Sequence, residues 1–244
     1  MRRQLTAAGA RGFVVGLSGG VDSAVVARLG QLAAPSAVLG VLLPCHSDPH
    51  DEADALAVAK HFSMPTVRID LAVPYDALAA PAQVAIQELP RDVRDTTPAD
   101  PLRGRIPLAN IKPRLRMTAL YAIANTVNYL VAGTGNRSEL AIGYFTKYGD
   151  GGVDLLPIGR LVKREVIALA RDLNVPDAIV NRVPTAGLWP GQTDEEEMGI
   201  SFAELERYLK DGPQGVSPAL AMRIDRLTRS SEHKRQTPPM PEER

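Results

Sequence analysis

The chain has 244 residues, 45% of them hydrophobic, enough for the core of one α/β domain. Lys plus Arg and Asp plus Glu both number 28, so formal net charge is zero, which argues against a dedicated nucleic-acid binder. A single cysteine, Cys45, excludes an intramolecular disulfide and a cysteine-rich zinc site, and no stretch is apolar for long enough to span a membrane. No apolar run follows the N-terminal Met-Arg-Arg-Gln, so the expectation is a soluble cytoplasmic protein without a signal peptide.

Residues 1–12 are short and read as the end of a helix, and Phe13–Leu17 is the first predicted strand. Ser18-Gly19-Gly20-Val21-Asp22-Ser23 follows, then a predicted helix over Val21–Ala34 that Pro35 closes. A strand, a glycine loop and a helix make a phosphate-binding arrangement. Adjacent glycines let the backbone approach an anion, and the first helical N–H groups point at it. Glycines alone would also suit a plain turn with an N-cap. Asp22 does not suit a bare anion site, because a carboxylate repels phosphate unless a divalent cation lies between them; it therefore points to Mg²⁺.

Ala37–Pro44 is a near-continuous apolar run, the pattern of a parallel strand buried on both faces. The polar stretch His46–His50 leads to a predicted helix over Asp51–Phe62, capped by Asp51 or a neighbour. His46, Asp48, His50 and Asp51 could form a metal cluster or simply a solvated connection. Cys45 suits a small position at a strand end, with a reactive thiol as the other reading. Met64–Asp70 is the third predicted strand, with Val67 and Ile69 on one face. A β-α-β-α-β order predicts a doubly wound parallel sheet with helices on both faces, binding ligand at the strands' carboxyl ends.

Residues 71–89 are weakly helical. Residues 90–108 are rich in Pro, Asp, Arg and Thr without a period, which predicts either a mobile substrate loop or a disordered insertion. Asn110–Asn128 is the next helix. Lys112, Arg114 and Arg116 crowd its first turns, where cations oppose the dipole; either an anion lies near or the charges are solvated. Tyr129–Ala132 is a buried strand running into a loop over 133–139, where Thr134 can bond a base or ribose and Glu139 can join Asp22 at a metal. The glycine-dense stretch 143–154 reads as a binding loop. Leu161–Asn174 is an amphipathic helix with Val166, Ile167, Leu169, Ala170 and Leu173 inward and Lys163 and Arg164 at its start. A helical turn over Pro176–Arg182, a loop over 184–189 and an acidic run at 194–197, read as a solvated face, precede two helices. These are Phe202–Lys210, with Ser201 and Glu204 as a capping box, and Ser217–Arg229. The tail 230–244 is expected to be ordered in part.

The hexapeptide at 18–23 resembles the pyrophosphate-binding loop of the N-type ATP pyrophosphatases. Later stretches narrow the resemblance to the ammonia-dependent NAD synthetases: N-I-K-P-R-L-R-M-x-x-L-Y at 110–121, G-T-G-N-R-S-E-L at 133–140, G-Y-F-T-K-Y-G-D-G-G-V-D at 143–154, L-V-K-R-E-V at 161–166 and P-T-A-G-L-W-P-G-Q-T-D-E at 184–195. It runs from about residue 13 to about 234 and implies one adenine nucleotide alpha hydrolase-like domain over 1–244. It further implies a ligase that adenylates deamido-NAD with ATP and lets ammonia displace AMP, giving NAD. Because the hexapeptide begins at residue 18, no N-terminal glutaminase domain is expected, although a separate glutaminase subunit would fit. By resemblance, Gly16, Leu17, Ser18, Gly19, Gly20, Val21, Asp22 and Ser23 hold ATP, with Thr134, Lys163 and Thr185. Asp22 and Glu139 hold Mg²⁺. Arg114, Lys147, Asp154, His233 and Lys234 contact deamido-NAD, and Asp22, Lys163 and Thr185 serve the chemistry. A homodimer without nucleic-acid or membrane partners is implied.

The sequence departs from the family pattern in its short N-terminal region and in Gly187, which stands where many members have Asp. The rival readings are another ATP-pyrophosphatase amidotransferase or thiolase, and a nucleotide-binding regulatory module without catalysis. The stretch 143–154 opposes the first; the presence of Asp22, Glu139, Lys147 and Lys163 opposes the second.

Overall fold

The computed structural model describes residues 1–94, 101–185, 187, 189 and 191–241. In chain order the helices and strands are α1 (Arg2–Ala8), β1 (Gly12–Gly16), α2 (Val21–Ala33), β2 (Val38–Leu42), α3 (Pro49–His61), β3 (Thr66–Arg68), α4 (Ala72–Gln87), α5 (Arg91–Arg94), α6 (Pro101–Ala109), α7 (Ile111–Val127) and β4 (Tyr129–Val131). They continue as α8 (Arg137–Ile142), α9 (Lys163–Asp172), α10 (Asp177–Val180), α11 (Asp194–Met198), α12 (Phe202–Asp211) and α13 (Pro218–Ser230). Two 3₁₀ turns, Pro213–Gly215 and Glu232–Lys234, flank α13.

Four strands form one parallel sheet in the order β3-β2-β1-β4, and the chain reverses direction of winding between β1 and β4. Phe13 pairs with Val38 on one side and Leu130 on the other, which sets the register. A further parallel bridge joins Ala132 to Leu155 beyond β4.

Side chains alternate across a strand, so β1 divides its apolar residues between the two faces. Phe13 and Val15 join α2, α3 and α9 in one core, with Val25, Val58 and Val166. Val14 points the other way, with Val41, Val131 and Ala124 under α7. Both faces are thus covered, and strands buried on two sides read as continuous apolar runs. A third core, away from the sheet, gathers Ile142, Met198, Phe202, Leu205 and Ile224 from α8 and α11–α13.

The strands, α2, α3 and the C-terminal helices lie where predicted, with ends shifted by a few residues. Asp48, two residues before His50, caps α3 by accepting from the His50 N–H at 2.9 Å. The capping box at Ser201 and Glu204 is present. Val67 is 41% exposed on the short edge strand β3, while Ile69 packs under the sheet. The stretch 90–108, expected to lack regular structure, carries α5 and α6; residues 95–100 lie outside the described residues. α6 carries Pro107 in its interior, where the proline removes one backbone donor. The loop expected over 133–139 already turns helical at Arg137, because Asn136 and Glu139 form a reciprocal capping box.

Candidate active site

The carboxyl ends of β1, β2 and β4 open into a pocket of about 880 Å³, within the range of small-molecule sites. Its phosphate-loop wall is preorganised. The Ser18 N–H donates to Ser23 Oγ at 3.3 Å, the Gly20 N–H to Ser18 Oγ at 3.3 Å, and Ser23 Oγ–H to the Gly20 carbonyl at 2.9 Å. Gly20 caps the thirteen-residue α2 without a side-chain bond, so the first N–H groups of α2 remain available to an anion. Gly19 has φ +78°, and a Cβ there would lie 2.6 Å from the Asp51 carbonyl, so only glycine lets the loop sit against α3.

Asp22, in the first turn of α2, pairs with the Lys163 ammonium, which α9 delivers from its first position. Lys163 is 4% exposed. Burial pulls its pKa down, but the nearby Asp22 and Glu139 charges outweigh this and hold it above the ordinary lysine value. Asn136 ties the two carboxylates together: its side-chain amide donates to Asp22 Oδ1 at 3.1 Å and its N–H to Glu139 Oε2 at 3.1 Å. Desolvation and then the Asp22 charge push Glu139 up to about 8. A buried carboxyl group beside a second carboxylate suits a hard divalent cation. No group of three or more His, Cys, Asp or Glu side chains placed to hold a metal ion by itself occurs among the described residues. A cation on Asp22 and Glu139 would therefore complete its shell from substrate phosphates and water, as Mg²⁺ commonly does.

Of the three cations expected at α7, only Arg116 lines the pocket. Arg116 turns inward, donating to the Leu43 carbonyl at 3.2 Å and Ser47 Oγ at 3.1 Å, and burial lowers its pKa. Lys112 is buried with its ammonium 5.5 Å from the Tyr75 ring centre. Lys234 donates to the Gly143 and Phe145 carbonyls, each at 2.8 Å, so the tail through Lys234 is tied to the loop at 143–145.

Gly16, Leu17, Ser18, Gly20, Val21, Asp22, Thr134, Glu139, Lys163, Thr185 and Lys234 all line this pocket. Ser23 is buried behind it as a strut of the loop, and Gly19 packs on α3. Arg114, Lys147, Asp154 and His233 are not among the lining residues. Arg114 and Lys147 lie outside together: Arg114 Nε donates to the Lys147 carbonyl at 3.4 Å, and Lys147 Nζ to the His233 carbonyl at 2.6 Å. Asp154 holds the end of β4, accepting from the Val131 N–H at 2.7 Å and the Tyr121 hydroxyl at 3.0 Å.

Several pocket residues escaped the sequence reading. The acidic run at 194–197 is not simply a solvated face. Asp194 is 5% exposed, and the Tyr144 hydroxyl donates to it at 3.1 Å and to Glu197 at 2.8 Å. Four consecutive acids look solvated in a sequence, but the helical turn of α11 carries Asp194 and Glu197 to one side. Arg182, which the sequence did not single out, also lines the pocket, as do Asp51 and Arg116, which it did. In the polar loop 46–51, His46 pairs with Asp76, Asp48 caps α3 and Asp51 pairs with Arg182.

A family model described as NAD synthase matches residues 1–238. A relative named NH(3)-dependent NAD(+) synthetase, from Carboxydothermus hydrogenoformans, is 49% identical over 99% of this chain and 93% of its own length. A solved structure described as an NMN synthetase from Francisella tularensis superimposes with a TM-score of 0.86 at 35% identity, covering 98% of this chain and 93% of that one. An NH3-dependent NAD synthetase from Campylobacter jejuni gives 0.76 at 28% identity, covering 99% and 93%. The parallel sheet, wrapped by helices, has the adenine nucleotide alpha hydrolase-like fold of these structures.

Proposed function

The chain belongs to the NAD synthase family, and from that premise we propose that it is an ammonia-dependent ligase converting deamido-NAD to NAD with ATP. One domain over residues 1–244 carries the reaction. The observation that carries this reading is the meeting of the α2 N-terminus, Asp22, Lys163 and Glu139 at the floor of one pocket.

In the first step a carboxylate oxygen of deamido-NAD attacks the α-phosphorus of ATP. Pyrophosphate leaves with the electrons of the broken P–O bond, and an acyl-adenylate remains. The free N–H groups of α2, with Ser18 and the glycine loop, hold the departing phosphates. Lys163 neutralises charge that grows on them, exchanging its Asp22 partner for phosphate oxygen. Thr134 and Thr185 donate hydroxyls to ATP. Asp22 and Glu139 would hold Mg²⁺, which when bound supplies further charge neutralisation at the phosphates. In the second step ammonia nitrogen adds to the acyl carbon, AMP departs with the C–O electron pair, and the nitrogen sheds a proton. No enzyme nucleophile is needed, since both steps depend on positioning.

Deamido-NAD is proposed to reach from the pocket to Arg114, Lys147, Asp154, His233 and Lys234. Support for a homodimer comes from the exposed apolar side chains of α4 and α5, Val73, Val84, Ile86 and Val93, which a partner subunit could cover. Ile106, from the described part of the stretch 90–108, lines the pocket, which supports that part as a wall of the substrate site. The cytoplasm, with its ATP pool, is the proposed compartment.

The test is to incubate purified protein with deamido-NAD, ATP, Mg²⁺ and ammonium and to follow NAD and AMP. Absence of AMP release would overturn the reading, and glutamine in place of ammonium identifies the nitrogen donor. The high similarity to a structure described as an NMN synthetase favours a second reading, amidation of the mononucleotide. A kcat/KM for nicotinate mononucleotide above that for deamido-NAD would select it.

A further inference from the structure

Arg182 stands just after α10, three residues before Thr185, and its guanidinium reaches across to the first two turns of α3. One amino group pairs with Asp51, and Nη1 donates to Asp54 Oδ2 at 2.8 Å. The same clasp lies under the phosphate loop. A Cβ at Gly19 would meet the Asp51 carbonyl at 2.6 Å, Asp54 Cβ at 2.9 Å and Arg182 Nη1 at 3.1 Å. On the other side, a Cβ at Gly187 would lie 3.5 Å from Asp51 Oδ2. Three separate pieces of the ATP site therefore converge on one ion triplet: the phosphate loop, the start of α3, and the segment that carries Thr185 and Gly187. No backbone hydrogen bond joins Gly19 to the residues of the Thr185 loop among those described.

We propose that Arg182 is a positioning residue for ATP, a forked clasp that holds the Thr185 loop at a fixed distance from the phosphate loop. This inference rests on the ATP-dependent reading above. A planar guanidinium bonding two carboxylates at once fixes orientation as well as distance, whereas a lysine ammonium would serve as a point charge without the fork. With both acids neutralised only in part by one arginine, the triplet keeps a net negative charge. It does not compete with Lys163 for phosphate but sets where the loop amides and Thr185 stand when phosphate arrives.

The test is steady-state kinetics of wild type, Arg182→Gln and Arg182→Lys, with ATP and deamido-NAD varied separately. Arg182→Gln is expected to raise KM for ATP about tenfold, the equivalent of about 1.4 kcal/mol. KM for deamido-NAD and kcat at saturating ATP should stay within about threefold, because a loop prealigned by bound ATP no longer needs the clasp. Arg182→Lys should fall between the two. Trp189, the one tryptophan of the chain, lies in the Thr185 loop and gives a second readout independent of activity. In ligand-free Arg182→Gln its emission should shift to the red and quench more readily with acrylamide. If Arg182→Gln does not fold, Asp51→Asn with Asp54→Asn removes the clasp from the other side and should give the same pattern. A changed melting temperature with unchanged KM for ATP and unchanged Trp189 emission would overturn the proposal. So would equal losses for both substrates. A wild type that releases no AMP would instead overturn the ATP-dependent reading itself.

Discussion

Replacing Lys163 by methionine probes the centre of the site. Lys163 is 4% exposed, and its ammonium is paired with Asp22, whose side chain is 17% exposed. Removing one partner of a buried pair leaves the other charge uncompensated, which costs about 3–5 kcal/mol in closed interiors. Here the pocket is open on the Asp22 side and Asn136 still donates to Asp22 Oδ1, so we expect about 2–3 kcal/mol, discounted for solvent. For a chain of this length that is a fall in melting temperature of roughly 4–12 °C. Catalysis should fall further, by about 10²–10³ in kcat, the usual effect of losing one preorganised group facing developing charge. Asp22→Asn combined with Lys163→Met should regain part of the stability, since Asp22 is no longer an orphan charge although Glu139 has still lost its cation, yet stay inactive. The assays are urea titration followed by circular dichroism, and AMP release under saturating substrate. A Lys163→Met protein as stable as wild type, or a double variant less stable than wild type by the full sum of the two single changes, would refute the reasoning.

Gly143→Ala should be strongly destabilising: φ is +70°, and a Cβ would stand 2.1 Å from Ser231 Cβ. A left-handed residue plus overpacking amounts to about 2–5 kcal/mol by thermal melts. Asp194 is held above the ordinary aspartate range, chiefly by burial. The folded chain therefore keeps its proton to higher pH than the unfolded chain. That contribution to stability is complete below the unfolded pKa and is lost as pH rises through the folded one. Asp194→Asn should remove this decline from melting curves recorded between about pH 4 and 7, and a decline of unchanged size would exclude Asp194 as its source. Arg114→Ala should raise KM for deamido-NAD about tenfold while leaving KM for ATP within about twofold, by initial-rate kinetics.

Much of the fold was legible because local physics and global fold agree. Buried parallel strands demand apolar runs, and Val38–Leu42 and Tyr129–Val131 supply them. Helix starts were legible where a side-chain cap is short-range chemistry, as at Ser201 and Ser217. The stretch at 90–108 misled because prolines suggest a break, yet α6 runs through Pro107 in its interior.

The site divides along the same line. By itself the sequence determined the phosphate loop, since its glycines, hydroxyls and Asp22 act within six residues of one another. Glu139 could be paired with Asp22 from its own strand-end loop, but Lys163 and Thr185 joined that loop only through resemblance, because no local pattern links Asp22 to a lysine 141 positions away. Tertiary structure alone decided that Lys163 is buried against Asp22, that Asp194 and Glu197 turn inward to Tyr144, and that Arg182 bridges Asp51 and Asp54. The reason is that a charge reads as solvated in any sequence. Whether it is solvated or buried depends on partners brought from distant segments by the winding of the sheet, and burial without such a partner is what the folded chain cannot sustain.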